Sequence, residues 1–275
     1  MLASKYVISA MVVAISLPAY SKGELPQHAK QLLLNSIEVS HTEMSELAEV
    51  EAQEMRLNAV AVDAYSWGMQ EGAYYRNNEI QALLNEKSFV INKTISLAKF
   101  VIDGKMLMPT VLEAERIYVK NSDREARTVH MSYTLDKPPK IVSQVPTWRD
   151  YLVRNIAKPR KPIRNSYPRT NQESELWASE FKRGWFRGVE QANSIFSSDL
   201  NKLSKDVAGL YRFRYLLAQN IVTLPKLIKD ESSVMLLDSG KTINLNDVKY
   251  SIQLDSRFNK VTDWKPVFNK GGAHE

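Results

Sequence analysis

Glu173 and Glu175 are the carboxylates that a hydrolase would use, and His28, His41, His130 and His274 are the side chains that a metal or a general base would need. Two carboxylates cleave a glycosidic bond only when both face that bond. Glu173 and Glu175 stand two apart on a predicted helix and point to different faces, and the positive end of the helix dipole accounts for them more simply. No two histidines stand at helical metal spacing and no HExxH pattern is present. His130 falls in a predicted strand and reads as a surface or packed residue. There is no GxSxG elbow, no phosphate loop and no GxGxxG, and Ser232-Ser233 has no base near it in the chain. The sequence contains no cysteine, which excludes disulfides, thiol catalysis, thiolate metal sites and a lipid anchor on an N-terminal cysteine. No catalytic residue, metal ligand or cofactor site is therefore assigned.

Single-stranded nucleic acid is bound by cations interleaved with stacking aromatics. Arg183, Arg187, Arg212 and Arg214 with Trp185, Tyr211 and Phe213 come closest, but Glu180, Glu190, Asp199 and Asp206 dilute them. Direct nucleic-acid binding is not expected. The formal charge of +6 is mild and suits a membrane surface, an acidic partner or nucleic acid. The most basic stretch is Lys158 to Arg169, KPRKPIRNSYPR, whose prolines predict an extended loop. A solvated loop is the plain reading, and contact with an acidic partner or a phosphate is the sharper one.

The elements that must position these residues are dominated by Asn171 to Asn220. Apolar or small residues at Trp177, Phe181, Gly184, Gly188, Ala192, Ile195, Leu200, Leu203, Val207, Leu210 and Leu217 form one helical stripe. Asn171 is the expected N-cap, and a break is expected near Ser197-Ser198-Asp199 or Ala208-Gly209. Gly184 and Gly188 lie a turn apart and leave a groove beside Trp177, Trp185 and Phe186. That groove receives either another part of the chain or a partner. A second helix is predicted from Thr42 to Met69, with the pattern breaking at Tyr74 to Asn78 and a further turn over Glu79 to Leu84. Gly68, Gly72 and Ala73 near its end suit close packing or termination.

Val111 to Val119 and Arg127 to Leu135 predict a β-hairpin about Asn121-Ser122-Asp123. Thr147 and Asp150 form a capping-box variant opening a short helix that carries Tyr151, Leu152 and Ile156. Ser233 to Leu237 and Thr242 to Leu245 predict a second hairpin across Asp238-Ser239-Gly240, with Val248 to Leu254 as a third strand. Met1 to Ser21 has one lysine, an apolar run from Tyr6 to Leu17, Pro18, and the small residues Ala19 and Ser21 around a cleavage point. It reads as a secretory signal peptide, and export without cysteine suggests a bacterial periplasm. The expected organisation is a signal peptide over 1–21, a flexible lead over 22–42, one domain over 43–269 and a polar tail over 270–275. The expected fold class is α+β, with long helices packed with small antiparallel hairpins.

Several motifs occur in a telling order. They are Thr147-Trp148-Arg149-Asp150-Tyr151-Leu152, Glu175-Leu176-Trp177, Gly184-Trp185-Phe186-Arg187-Gly188-Val189-Glu190-Gln191-Ala192, Tyr211 to Gln219, and Asp263-Trp264-Lys265-Pro266. From about Leu57 to Phe268 the chain resembles the DotC family of type IVB secretion systems, including its counterparts in IncI-type conjugation machines. The resemblance implies a non-enzymatic component of an outer-membrane-associated core complex, working with DotD-like and DotH-like partners in a multi-subunit ring. Trp148, Arg149, Trp177, Gly184, Trp185, Gly188, Gln191 and Trp264 are the candidate packing or partner-interface residues. Members usually carry a lipobox cysteine, which this chain lacks, so membrane association is expected through partners or an uncleaved N-terminus. A periplasmic cell-wall hydrolase using Glu173 or Glu175 is the alternative, and a periplasmic nucleic-acid binder is a third reading.

Overall fold

The computed structural model describes residues 24–37 and 49–265. The expected signal peptide, the helix start at Thr42 and the polar tail lie outside the described residues. The elements are α1 (Gln27–Ile37), α2 (Glu49–Glu86), α3 (Ser88–Thr94), β1 (Val101–Ile102), β2 (Met106–Leu107), β3 (Thr110–Ser122), β4 (Glu125–Lys137), β5 (Lys140–Ile141), α4 (Arg149–Leu152), α5 (Asn171–Ala218), β6 (Lys226–Leu237) and β7 (Thr242–Leu254). The fold is α+β. Contacts divide it into two compact units, one of residues 24–37, 49–90 and 151–201, the other of residues 91–150 and 202–265.

The first unit is helical. Its core joins Val60, Ala64 and Trp67 of α2 to Trp177, Phe181, Trp185 and Val189 of α5, with Leu25 and Ala29 packed on them. α1 lies in the stretch expected as a flexible lead. Its Ala29 is fully buried, and the Trp177 indole donates to Ser36 Oγ at 2.9 Å. α2 runs through the predicted break at Tyr74 to Asn78, where the three central side chains have tertiary partners. Tyr75 packs on Trp185, Arg76 Nε donates to Asn193 Oδ1 at 2.8 Å, and Asn77 Nδ2 donates to the Arg154 carbonyl at 3.2 Å.

α5 is likewise unbroken over its 48 residues, roughly 72 Å at 1.5 Å per residue. Both expected break points are held by contacts that sequence does not display. Asp199 is buried in a two-toothed ion pair with Arg154, at 2.5 and 2.9 Å. Gly209 packs against Thr110 and Val111, where a Cβ would sit 2.8 Å from the Thr110 Cβ. The cap is Thr170, not Asn171: its hydroxyl accepts from the Glu173 N–H at 3.2 Å. α4 stops at Leu152, short of Ile156, although the Thr147 N–H does donate to Asp150 Oδ2 at 2.6 Å.

The second unit holds the strands. β1, β2 and β5 make a small antiparallel sheet, β3 and β4 one ribbon, and β6 and β7 another. The Asp123-Arg124 turn sits slightly later than expected, between the paired Ser122 and Glu125. In the second ribbon β7 runs unbroken from Thr242 to Leu254, so the expected third strand is the continuation of the second. Its turn takes left-handed backbone at Asp238 (φ 54°) and Ser239 (φ 57°). The core is Val111, Phe213, Leu216 and Val222 with Tyr133 and Leu135 against it. α5 ends on Asn220 in the left-handed region (φ 57°), with Ile221 N–H bonding the Leu216 carbonyl and Asn220 N–H the Leu217 carbonyl. That is a Schellman closure, with Asn in place of the usual glycine.

Candidate functional site

The glycines of α5 meet glycines of α2. Gly184 and Gly188 lie against the Tyr65 and Met69 carbonyls, and Gly68 and Gly72 lie against those of Phe181 and Trp185. A Cβ on Gly188 would fall 2.0 Å from Met69 O and 2.7 Å from Ala73 N. The i, i+4 spacing on both helices lets the backbones touch, and aromatic rings close the seam on its flank: Trp67–Phe181 at 5.1 Å and Tyr75–Trp185 at 5.4 Å between centroids. The groove read from Gly184 and Gly188 is thus filled by α2. Trp177, Gly184, Trp185 and Gly188 come together inside this seam. Gln191 is exposed beside it and borders a pocket of about 170 Å³ that Arg154 and Asp199 also line.

Glu173 is buried in this unit. Arg56 holds both its oxygens, at 2.7 and 3.1 Å, and the Arg169 N–H donates to it at 2.7 Å. Glu175 is exposed. The two carboxylates therefore do not converge, and Glu173 ties α2 to the start of α5. Arg183 and Arg187 flank a cavity of about 440 Å³ with Tyr65 and Phe186, and each is paired with a glutamate, Glu180 at 2.5 Å and Glu190 at 2.8 Å.

In the strand-bearing unit, Trp148 is buried and its indole donates to Asn92 Oδ1 at 2.7 Å, while Arg149 stacks on its ring at 4.3 Å. Trp264 is half exposed and donates to the Asn259 carbonyl at 3.3 Å, on the loop that closes the α5 C-terminus. Ion pairs anchor the base of the first ribbon: Lys137–Asp206 at 2.6 Å, Arg212–Glu113 at 2.7 Å and Lys205–Asp136 at 3.0 Å. Burial, then the Glu113 charge, pushes the Tyr133 hydroxyl above its ordinary value.

Beyond that base both ribbons are exposed. β3 pairs only with β4 and β6 only with β7 among the described residues, so the outer edges present unpaired N–H and C=O groups. Cross-strand partners share a face. Ile117 opposite Val129, with Val119 and Met131, makes an apolar strip on one ribbon; Val234 opposite Leu245, with Ile243, makes one on the other. Met131 is 45% exposed, Val234 57% and Leu245 66%. Left-handed residues interrupt pairing at Arg116 and Asn246, both at φ 55°, near where the exposed strips begin. The sequence showed these strands. It did not show that they stay exposed among the described residues, because alternation marks which face is apolar and not what lies on it.

The basic loop also joins a cavity. Arg160, Lys161 and Ser166 line a pocket of about 300 Å³ opposite Ser66, Trp67 and Gln70 of α2. Behind Trp67, Glu71 is buried and its carboxyl is raised above the ordinary value by desolvation, against the opposing pull of Trp67, His28, Lys158 and Lys161. Among the described residues no group of His, Asp and Glu could hold a metal ion, and no helix is long and apolar enough to cross a membrane.

A tightly seamed helix pair and two β-ribbons with exposed apolar side chains define an α+β protein. Residues 54–266 match the family described as type IV secretory system, conjugal DNA-protein transfer (T4SS_TraI), and the chain belongs to that family. No curated protein matches the sequence.

Proposed function

We propose that this protein is a structural subunit of the outer-membrane-associated core complex of a DotC-like, type IVB secretion or conjugal transfer apparatus. It works by docking onto neighbouring subunits, DotD-like and DotH-like, after export to the periplasm, and carries out no reaction of its own. The observation that carries the reading is the pair of β-ribbons. A two-stranded ribbon alone in water is marginal, and natural sheets cover, charge or shorten such edges. These strands of 12 and 13 residues carry charges such as Lys229, Asp230 and Glu231, yet they are long and leave Val234, Ile243 and Leu245 exposed. Sheet pairing or face-to-face burial in an assembly resolves that exposure. Membership of a conjugal transfer family supplies the setting. The cell-wall hydrolase reading gains no support, since the buried Glu173 is saturated by Arg56 and Arg169.

The test is affinity purification of the tagged full chain from cells producing the whole apparatus, followed by mass spectrometry of membrane fractions. Co-purification with other transfer proteins at the outer membrane is expected. A freely soluble monomer under those conditions overturns the proposal.

A further inference from the structure

Of the five tryptophans, Trp67, Trp148, Trp177 and Trp185 are buried, and Trp264 is 44% exposed. It ends a row of bare apolar side chains in the strand-bearing unit: Leu224, Leu254, Phe258 and Val261, the last 72% exposed. Val222 pairs with Phe258 and Lys226 with Leu254, one register kept across Leu224-Pro225. Leu224, Leu254 and Phe258 therefore share the face of the buried Val222 and carry it into solvent. Val261 and Trp264 follow across a 3₁₀ turn, in which residues three apart lie over one another. The Trp264 indole bonds back to the Asn259 carbonyl, next to Phe258. Hydrogen bonds pin the whole segment. The Thr223 N–H donates to the Arg257 carbonyl at 2.9 Å, Asn259 N–H to Ile221 and Lys265 N–H to Gln219, each at 2.8 Å, and Asn220 Nδ2 to the Asp263 carbonyl at 2.7 Å. The exposure is thus built in, and these backbone groups are occupied within the protein, as a lipid interface demands.

We infer that this apolar row is a membrane-contact surface, seating Leu254, Phe258, Val261 and Trp264 among the headgroups and upper acyl chains of an anionic phospholipid bilayer. The charges beside the row favour lipid over protein. Lys226, Arg257, Lys260 and Lys265 make no ion pair among the described residues, unlike Lys137, Lys205 and Lys229 of the same unit. They are four cations against two carboxylates, Asp255 and Asp263. Protein interfaces are depleted of lysine, whereas lysine and arginine beside tryptophan and bare aliphatics suit an anionic headgroup layer. Long cationic side chains reach the phosphates while their stems lie along the apolar row. Lipid contact here stands apart from docking through the ribbon strips, and either holds without the other.

The purified full chain is sedimented with vesicles of phosphatidylglycerol or of phosphatidylcholine, and its tryptophan fluorescence is quenched with acrylamide. Trp264 is the exposed indole, so quenching reports this surface, and the four buried indoles report the fold. Retention on phosphatidylglycerol over phosphatidylcholine is expected, with the quenchable emission shielded by phosphatidylglycerol vesicles and absent in Trp264→Phe. Val261→Ser with Trp264→Ser should weaken retention roughly tenfold or more through lost apolar burial. Lys260→Gln with Lys265→Gln should weaken it several-fold, and Lys182→Gln with Lys241→Gln, the same change of net charge elsewhere, should leave it intact. Retention with Trp264 still open to acrylamide belongs to another part of the chain and overturns the inference. So do retention that survives the Val261/Trp264 change, equal loss in the Lys182/Lys241 control, and no retention at all. If vesicles are not bound and the Val261/Trp264 variant stays folded but no longer co-purifies with transfer proteins, the row faces a protein and the lipid assignment is wrong.

Discussion

Single side chains hold the helical unit in ways that only partly show in the sequence. The helical stripe marks Trp177 as core, but its partner Ser36 lies 141 positions away and no pattern links them. The same holds for Glu173. Its place in the first helical turn suits the dipole, yet the residue that binds it is Arg56, whose side chain keeps 28% of its exposure against 6% for the glutamate. Removing one member of such a pair strands a buried charge, at a cost of about 3–5 kcal/mol. Arg56→Met should therefore lower the stability of the helical unit by that order in chemical denaturation. Adding Glu173→Gln should recover much of the loss, since the stranded charge is gone. Glu71 gives a prediction of opposite character. Its native pKa is raised above the ordinary 4.5, chiefly by burial, so the folded state binds the proton more tightly than the unfolded chain. The stability it contributes is complete below about pH 4.5 and is lost as pH rises through the native value. Glu71→Gln should raise the melting temperature at pH 7, and the gain should shrink as the pH is brought down to about 4. A gain that stays constant across that range would show that burial of the carboxylate is not the cause.

At the level of elements, periodicity identified α5 and both ribbons, and it failed at their ends and interruptions. Tyr74 to Asn78 and Ser197 to Asp199 look like breaks because polar residues lower local helix propensity. Partners distant in sequence satisfy Arg76 and Asn77 in the first segment and Asp199 in the second, where Arg154 holds both carboxylate oxygens. The turn of the second ribbon falls at Asp238-Ser239-Gly240 as expected, and Asp238 and Ser239 adopt left-handed backbone there, as short polar residues do in tight hairpins. The glycine seam was legible as a groove and became a seam only once a second glycine pair faced it. Gly188→Ala places a methyl against the Met69 carbonyl and the Ala73 nitrogen, both backbone atoms. The helices must part to admit it, so a loss of about 1–3 kcal/mol or more is expected. Gly104→Ala provides the contrast. Gly104 has φ +65° and nothing within 4 Å, so only local strain of about 1–2 kcal/mol is at stake there. In urea melts the Gly188 variant should lose more than the Gly104 variant. Equal losses would mean that the seam is looser than its distances state.

For the whole molecule, the sequence disclosed what the chain is made of more readily than what it leaves uncovered. A family of conjugal transfer proteins is recognisable from motifs such as Gly184 to Ala192, and those residues are largely internal. The surfaces that would do the work lie elsewhere, on ribbon faces that no motif marks. Interior and interface residues should therefore respond differently to substitution. Val119→Lys and Ile243→Lys alter side chains that are 44% and 57% exposed and touch no core cluster. Surface changes of this kind usually stay within about 0.5 kcal/mol, so the melting temperature should hold. If the ribbons bury these faces against neighbouring subunits, a lysine placed there is desolvated without a partner, and the contact fails. Each variant should then be exported, folded and released from the complex, with conjugal transfer or secretion falling in step with co-purification. Trp185→Ala supplies the comparison: it empties a fully buried site and should cost about 3–5 kcal/mol, removing the protein through instability and not through a lost contact. Folded ribbon variants that still co-purify and support transfer at parental levels would place the docking surface somewhere other than the ribbons. Loss of transfer with the fold intact would locate it at the apolar strips, where two-stranded sheets are otherwise left half made.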